Sequence, residues 1–206
     1  MYSKTSFAKS LSPRDANADA TPIILLSQEG GTVLDRSAAA GLLLAARAVM
    51  LNLDQPFRYA SGILSPIYCD NRVLISDPPR RREIVAGLAG LVRELAPNAT
   101  VVAGTATAGI PWAAWIADRL DLPMVYVRAT AKEHGRGQRI EGRLPDAAVA
   151  VVVEDLVTTG GSSREVVELL TAAGASVAAA GSIIDRSGGA ADLGVPRVAL
   201  VTLSVA

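Results

Sequence analysis

The chain has 206 residues, half of them hydrophobic, and its 20 basic residues balance its 20 acidic ones. This length predicts one domain with a sizeable core, and the neutral balance argues against nucleic-acid partners and against binding to an anionic membrane. A single cysteine, Cys69, excludes an internal disulfide and suits a reducing compartment, and the chain lacks an apolar run long enough for a membrane span, so we expect a cytoplasmic protein.

The first third of the chain predicts little regular structure apart from one helix. Residues 1–30 lack a clear period and are expected to form a flexible tail, with a transit peptide as the alternative. Asp35 or Ser37 can cap a helix that runs to about Leu51. Phe57–Arg72 contains Gly and Pro between short apolar pieces, which predicts a connecting loop or a small hairpin.

From residue 77 to 203, predicted strands and helices alternate. The strands are expected at Thr100–Ala103, Pro123–Val127, Ala148–Val153, Ser176–Ile184 and Val195–Leu203, and the helices at Asp77–Ala96, Ile110–Leu120 and Glu165–Ala173. This alternation predicts an α/β fold with a mostly parallel, doubly wound sheet and helices on both faces. Ligands of such sheets bind beyond the carboxyl ends of the strands.

The stretch Ala148–Ser163, reading AVAVVVEDLVTTGGSS, carries the strongest chemical signal. A buried strand is followed by two carboxylates, Glu154 and Asp155, and then by the hydroxyl- and glycine-rich turn Thr158–Ser162. Backbone amides at the start of a helix hold phosphate, while carboxylates accept hydrogen bonds from sugar hydroxyls. No lysine follows Gly161, which excludes a nucleoside-triphosphate P-loop, and a phosphorylated sugar fits best. The alternative is an ordinary turn whose small residues only cap the helix.

A second chemical signal lies in the segment Ala129–Asp146, which is long for a connection in a compact domain. It follows Arg128 and contains Lys132 and the single histidine, His134. Its charge and glycine content predict either a solvated loop or a lid over a site. A second turn of small residues, 104–109, follows a predicted strand and is by itself equally compatible with a structural role.

These blocks together resemble a known family. VVVEDLVTTGGSS (151–163) is similar to the phosphoribosyl-pyrophosphate (PRPP) signature of type I phosphoribosyltransferases. FRYASGILSPIYCDNR (57–72) and the lid pattern R-x-x-x-K-E-H-G from residue 128 resemble orotate phosphoribosyltransferases. The resemblance implies the type I phosphoribosyltransferase fold with a small N-terminal hood. It places one domain at 31–206, the hood at 36–76 with the segment near 185–195, and the core at 77–203.

The resemblance also implies a reaction, in which orotate and PRPP give orotidine 5′-monophosphate and pyrophosphate with Mg²⁺, and it implies roles for individual residues. The implied catalytic residues are Lys132, His134 and Asp155; the PRPP-binding ones are Arg128, Lys132, His134, Glu154, Asp155, Leu156, Val157, Thr158, Thr159, Gly160, Gly161 and Ser162; the orotate-binding ones are Thr158 and Arg186. The magnesium ion would be held mainly by substrate and water. A homodimer is implied, with the lid 129–146 shared between subunits.

Three alternatives stay open. The first is a phosphoribosyltransferase for another base, against which the hood block and the pair Asp185–Arg186 argue. The second is a PRPP-binding regulator that binds RNA, which the neutral charge disfavours. The third is a non-catalytic paralogue, suggested by Ala129, where relatives often carry a second basic residue. Taken without the family, Asp185–Arg186 would be a surface ion pair of little energetic weight.

Overall fold

A computed structural model of the chain describes residues 34, 36–59, 62, 64–130 and 139–203. Predictions for residues 1–30, Lys132 and His134 therefore lie outside the described residues. Ser61 of the block 57–72 and residues 131–138 of the lid also lie outside the described residues.

The N-terminal part of the described chain forms short strands after one helix. Its elements are α1 (Arg36–Ala45), β1 (Val49–Leu51), β2 (Phe57–Arg58), β3 (Leu64–Ser65), β4 (Ile67–Cys69) and a 3-10 helix (Asn71–Ser76). The antiparallel pairing of β2 with β3 confirms the predicted hairpin. The helix predicted to reach Leu51 is too long, because Arg47 takes a left-handed φ of 56° and the Ala48 amide closes back on the Leu43 carbonyl at 2.9 Å.

The rest of the chain builds one six-stranded sheet with helices. Its elements are α2 (Pro78–Leu95), β5 (Val101–Thr105), α3 (Gly109–Leu120), β6 (Met124–Val127), β7 (Ile140–Glu141), β8 (Val149–Val157), α4 (Gly161–Ala172), β9 (Ser176–Asp185) and β10 (Arg197–Thr202). The strand order is β10-β9-β8-β5-β6-β7, parallel except for β7. The predicted mostly parallel sheet is confirmed.

The sheet is covered on both faces, as its unbroken apolar strands require. Alternate residues of β8 point to opposite sides, so Val151 and Val153 join one core cluster and Val152 the other. Buried residues of α1, α2 and α3 belong to the first cluster, and those of α4 to the second. Trp112 is fully buried in the first cluster.

Three predictions about secondary structure near the carboxyl ends of the strands are wrong. Strand β8 continues to Val157, past the two carboxylates, because β9 pairs with it as far as Asp185. Helix α4 begins at Gly161, four residues before the predicted Glu165. The segment 129–146, expected to be a loop, contains the short strand β7, which pairs antiparallel with the edge of β6.

Candidate active site

The turn between β8 and α4 leaves the start of a helix open. Thr158, Thr159 and Ser162 are exposed, whereas Gly160 is buried with a left-handed φ of 83°. A Cβ on Gly160 would lie 2.6 Å from Cδ2 of Leu193, so this position requires glycine for space as well as for φ. Because Gly160 caps α4 without a side chain, the amides of the first turn remain open to an anion.

The two carboxylates that precede this turn have different surroundings. Glu154 is 8% exposed, and its Oε1 accepts a hydrogen bond from the Asp155 amide at 3.0 Å. Asp155 is partly exposed, and its backbone carbonyl accepts a 2.7 Å bond from Nδ2 of Asn71, which is itself buried. Asn71 thus joins the 3-10 helix to the carboxyl end of β8. Asp155 is thus the more exposed member of the pair, and Glu154 is the buried one.

The pKa of Glu154 is raised from 4.5 to about 8, and burial of the carboxyl is the largest cause. The Asp155 side chain contributes to this rise through a hydrogen bond and through repulsion, while the Asp155 amide and the buried Thr105 hydroxyl act in the opposite direction. Glu154 is therefore mostly protonated at neutral pH. A neutral carboxyl in this position costs less to bury than a carboxylate.

The second small-residue turn packs against this pair. Strand β5 runs through Thr105, so only residues 106–108 lie between it and α3. A Cβ on Gly109 would come within 2.6 Å of the Val153 carbonyl and 3.5 Å of Glu154 Oε1. The glycine therefore lets the start of α3 approach the carboxyl end of β8. Both turns meet at one edge of the sheet, as the sequence predicts.

Arg128 lies at the carboxyl end of β6, where the predicted lid begins. Its amide donates to the Arg139 carbonyl at 2.8 Å, and its guanidinium lies 3.5 Å from Glu141 Oε1. Arg139 returns a 2.8 Å bond from Nε to the Arg128 carbonyl and reaches Glu165 of α4 at 2.6 Å. The start of the lid segment is thus held against Arg139 within the same segment, and Arg139 ties it to α4.

Arg186 follows β9 and lies between Tyr59, the residue after β2, and the hydroxyl turn. Its guanidinium stacks over the ring of Tyr59, 4.5 Å from the centroid, and its Nη2 donates to Thr158 Oγ1 at 3.3 Å. Its amide donates to the Val157 carbonyl at 2.7 Å. The structure therefore brings Thr158 and Arg186 together. Tyr59 was missed by sequence reasoning, although an aromatic residue inside the hood block was the available signal.

Asp185 does not form the surface pair with Arg186 that its position alone would suggest. It is 4% exposed and accepts bonds from Nε of Arg197 at 3.3 Å and from the amide of Ser187 at 2.8 Å. Arg197 and Ser187 thus satisfy the aspartate, and the Arg186 guanidinium contacts Tyr59 and Thr158 instead.

Two further predicted PRPP residues, Leu156 and Val157, pack their side chains in the core. The Val157 side chain is 3% exposed, Leu156 packs against the other core cluster, and the Val157 carbonyl already accepts the Arg186 amide. In the described ranges no three His, Cys, Asp or Glu side chains gather closely enough to hold a metal ion. Within the same ranges, no helix is long and apolar enough to cross a membrane.

Comparison with known proteins identifies the class to which this site belongs. The sequence profile described as "Phosphoribosyl transferase domain" matches residues 74–195, which is more than half of the chain. The match contains β8, the hydroxyl turn and Arg186. An α/β sheet that ends in such a turn and a carboxylate pair is thus the phosphoribosyl-transfer scaffold, and the predicted type I fold is confirmed.

The chain is 49% identical over 164 residues to the orotate phosphoribosyltransferase of Enterococcus faecalis, covering 79% of this chain and 78% of that protein. It is 58% identical over 124 residues to the Coxiella burnetii orotate phosphoribosyltransferase, 60% of this chain and 59% of the relative. The crystal structure of orotate phosphoribosyltransferase from Aeropyrum pernix matches with a TM-score of 0.67 and 34% identity, over 80% of this chain and 93% of that one. The chain belongs to the phosphoribosyltransferase family, in its orotate phosphoribosyltransferase branch.

Proposed function

We propose that the protein transfers the phosphoribosyl group of PRPP to orotate, giving orotidine 5′-monophosphate and pyrophosphate in pyrimidine biosynthesis. The observation that carries this is the placement of Arg186 beside Thr158, at the mouth of the open α4 N-terminus. One end of the site thus suits a phosphate and the other an anionic, acceptor-rich base.

The phosphoribosyl half of PRPP would bind along the end of β8. The exposed hydroxyls of Thr158, Thr159 and Ser162, with the first amides of α4, would hold the 5′-phosphate. The partly exposed Asp155 would accept hydrogen bonds from the ribose hydroxyls, with Glu154 behind it. The backbones of Leu156 and Val157 and the glycines Gly160 and Gly161 would complete this cradle.

The leaving pyrophosphate would lie toward the lid. Arg128, Lys132 and His134 would bind it, and the latter two would neutralise or protonate it as its bond to ribose C1 breaks, with Asp155 holding the ribose. Closure of the lid 129–146 would exclude water, which otherwise competes with the base for C1. The contacts of Arg139 with Arg128 and Glu165 support a lid whose base is fixed to the PRPP-binding helix.

Mg²⁺ is proposed to arrive with PRPP. The protein residues fit this arrangement, since the described polar groups at the site are hydroxyls, amides and one partly exposed carboxylate rather than a cage of acidic side chains. When bound, the ion would neutralise charge on the pyrophosphate. The protein's own part is to hold the ribose, the 5′-phosphate and the base in line.

Further parts of the proposal rest on the family resemblance. They are a hood at 36–76 with 185–195 over a core at 77–203, a cytoplasmic location, and a homodimer whose lids reach the neighbouring site. Subunit exchange tests the shared lid. Mixing inactive Lys132→Ala and Asp155→Asn proteins should restore activity by creating sites with both native residues, whereas a self-contained site would stay inactive in the mixture.

A base panel tests the proposed reaction. Orotate, hypoxanthine, xanthine and uracil are each incubated with PRPP, Mg²⁺ and protein, and the nucleotide product is identified by mass spectrometry. We expect product with orotate alone. Product with a rival base would still support the proposed PRPP site, but it would overturn the assignment of orotate as the base. PRPP binding without product from any base would favour a regulatory or non-catalytic protein.

A further inference from the structure

The aromatic ring of Tyr59 is in contact with the guanidinium that faces the site. The Arg186 carbon Cζ lies 4.5 Å from the centre of the ring. A second contact holds the ring in place, because the Tyr59 hydroxyl donates to the backbone carbonyl of Ile67 at the start of β4. Tyr59 is partly buried between these two partners.

These contacts leave Arg186 with one face covered and its edge available. A guanidinium binds an aromatic ring through its flat face, while its N–H groups lie in its plane and point outward. One of these groups donates to Thr158 Oγ1 at 3.3 Å. The stack therefore fixes the plane in which the remaining N–H groups can reach a ligand.

We propose that Tyr59 is a positioning residue for base recognition, holding the Arg186 fork in the plane of the incoming base. The inference rests on the proposed function, in which Arg186 reads orotate. Tyr59 acts through Arg186 and needs no contact with the base. It would also couple the hood hairpin to the core, since β2 precedes it and Thr158 follows β8.

Two substitutions separate the stack from the hood anchor. Tyr59→Phe and Tyr59→Leu both lose the hydrogen bond to Ile67, but only the phenylalanine keeps a ring under Arg186. We expect Tyr59→Leu to raise KM for orotate about tenfold relative to Tyr59→Phe, because one partly buried cation–π contact is lost, with KM for PRPP unchanged. Equal KM values for orotate in the two variants would overturn the proposal.

A double-mutant cycle with Arg186→Ala tests whether Tyr59 acts through the arginine. If it does, Tyr59→Leu adds no further change in KM for orotate once Arg186 is removed. An unchanged tenfold effect in the Arg186→Ala background would mean that Tyr59 acts elsewhere and would contradict the proposal.

The test remains informative if the proposed reaction fails. Should the wild-type protein use a different base, Tyr59→Leu and Tyr59→Phe are compared with that base. A rise in the KM for that base alone in Tyr59→Leu would then support the positioning role of Tyr59, although the assignment of orotate would be wrong. Parallel rises in KM for base and PRPP would indicate a disordered hood and would overturn the positioning role.

Discussion

Replacement of Glu154 by glutamine tests the inward-facing member of the carboxylate pair. The carboxyl is 8% exposed, and its folded pKa is raised from 4.5 to about 8. Since the unfolded chain releases this proton near pH 4.5 and the folded chain keeps it to about pH 8, the unfolded state binds fewer protons between these values. This group therefore stabilises the fold most below pH 4.5, and its contribution falls as pH rises to 8.

The two pKa values correspond to a loss of about 2 kcal/mol in wild-type unfolding free energy between pH 6 and pH 8. Glutamine is neutral and similar in shape, so the unfolding free energy of Glu154→Gln should not contain this pH-dependent loss. Relative to the wild type, the variant should therefore become more stable by about 2 kcal/mol between pH 6 and pH 8. Urea unfolding at both pH values measures it, with Glu83→Gln, an exposed acid on α2, as the control. A difference between Glu154→Gln and wild type that does not change with pH would refute the assigned protonation.

Three further substitutions test other parts of the site. Lys132→Ala should lower turnover by at least about a hundredfold without shifting the thermal midpoint, and near-normal turnover would reject its role at the pyrophosphate. Gly160→Ala should destabilise the fold by about 1–3 kcal/mol more than Gly174→Ala, since both glycines have positive φ but only a Cβ at 160 meets Leu193. Equal losses in urea unfolding would show that the turn relaxes freely. Asn71→Ala should cost about 1–3 kcal/mol and raise KM for PRPP, because the Asp155 carbonyl loses its 2.7 Å donor; unchanged KM would separate Asn71 from the site.

The sequence predicted the sheet well because its strands carry unambiguous local signals. The run of valines in β8 is buried on both faces, and the prolines in the first positions of α2 are a strong signal for the start of a helix. The N-cap confirms the second signal, with the Asp77 side chain accepting from the Arg80 amide at 3.2 Å. Parallel topology then placed the two turns at one edge without any knowledge of contacts.

Boundaries that depend on tertiary contacts could not be predicted. The helix α1 ends at Ala45 because Arg47 adopts a left-handed conformation, for which the local sequence of strong helix formers gives no sign. Strand β8 extends past its polar residues because β9 pairs with it. Neither event is encoded in the residues of the element itself.

The same limit applies to the site. Adjacent carboxylates signalled sugar binding, but they did not reveal that Glu154 is buried at a place where Gly109 of α3 approaches it. Likewise, Tyr59 is 127 residues before Arg186, and only the fold brings the two side chains to a 4.5 Å contact. Partners of this kind are specified by packing, which a single sequence does not display.

The stoichiometry of the reaction with orotate tests the central claim most directly. Orotate absorbance and released pyrophosphate are followed together, with PRPP or Mg²⁺ omitted in parallel reactions. The proposed function predicts one pyrophosphate per orotate consumed and no loss of orotate when either component is absent. Pyrophosphate release that does not depend on orotate would contradict it. So would the absence of orotate consumption in a mixture that contains the protein, orotate, PRPP and Mg²⁺.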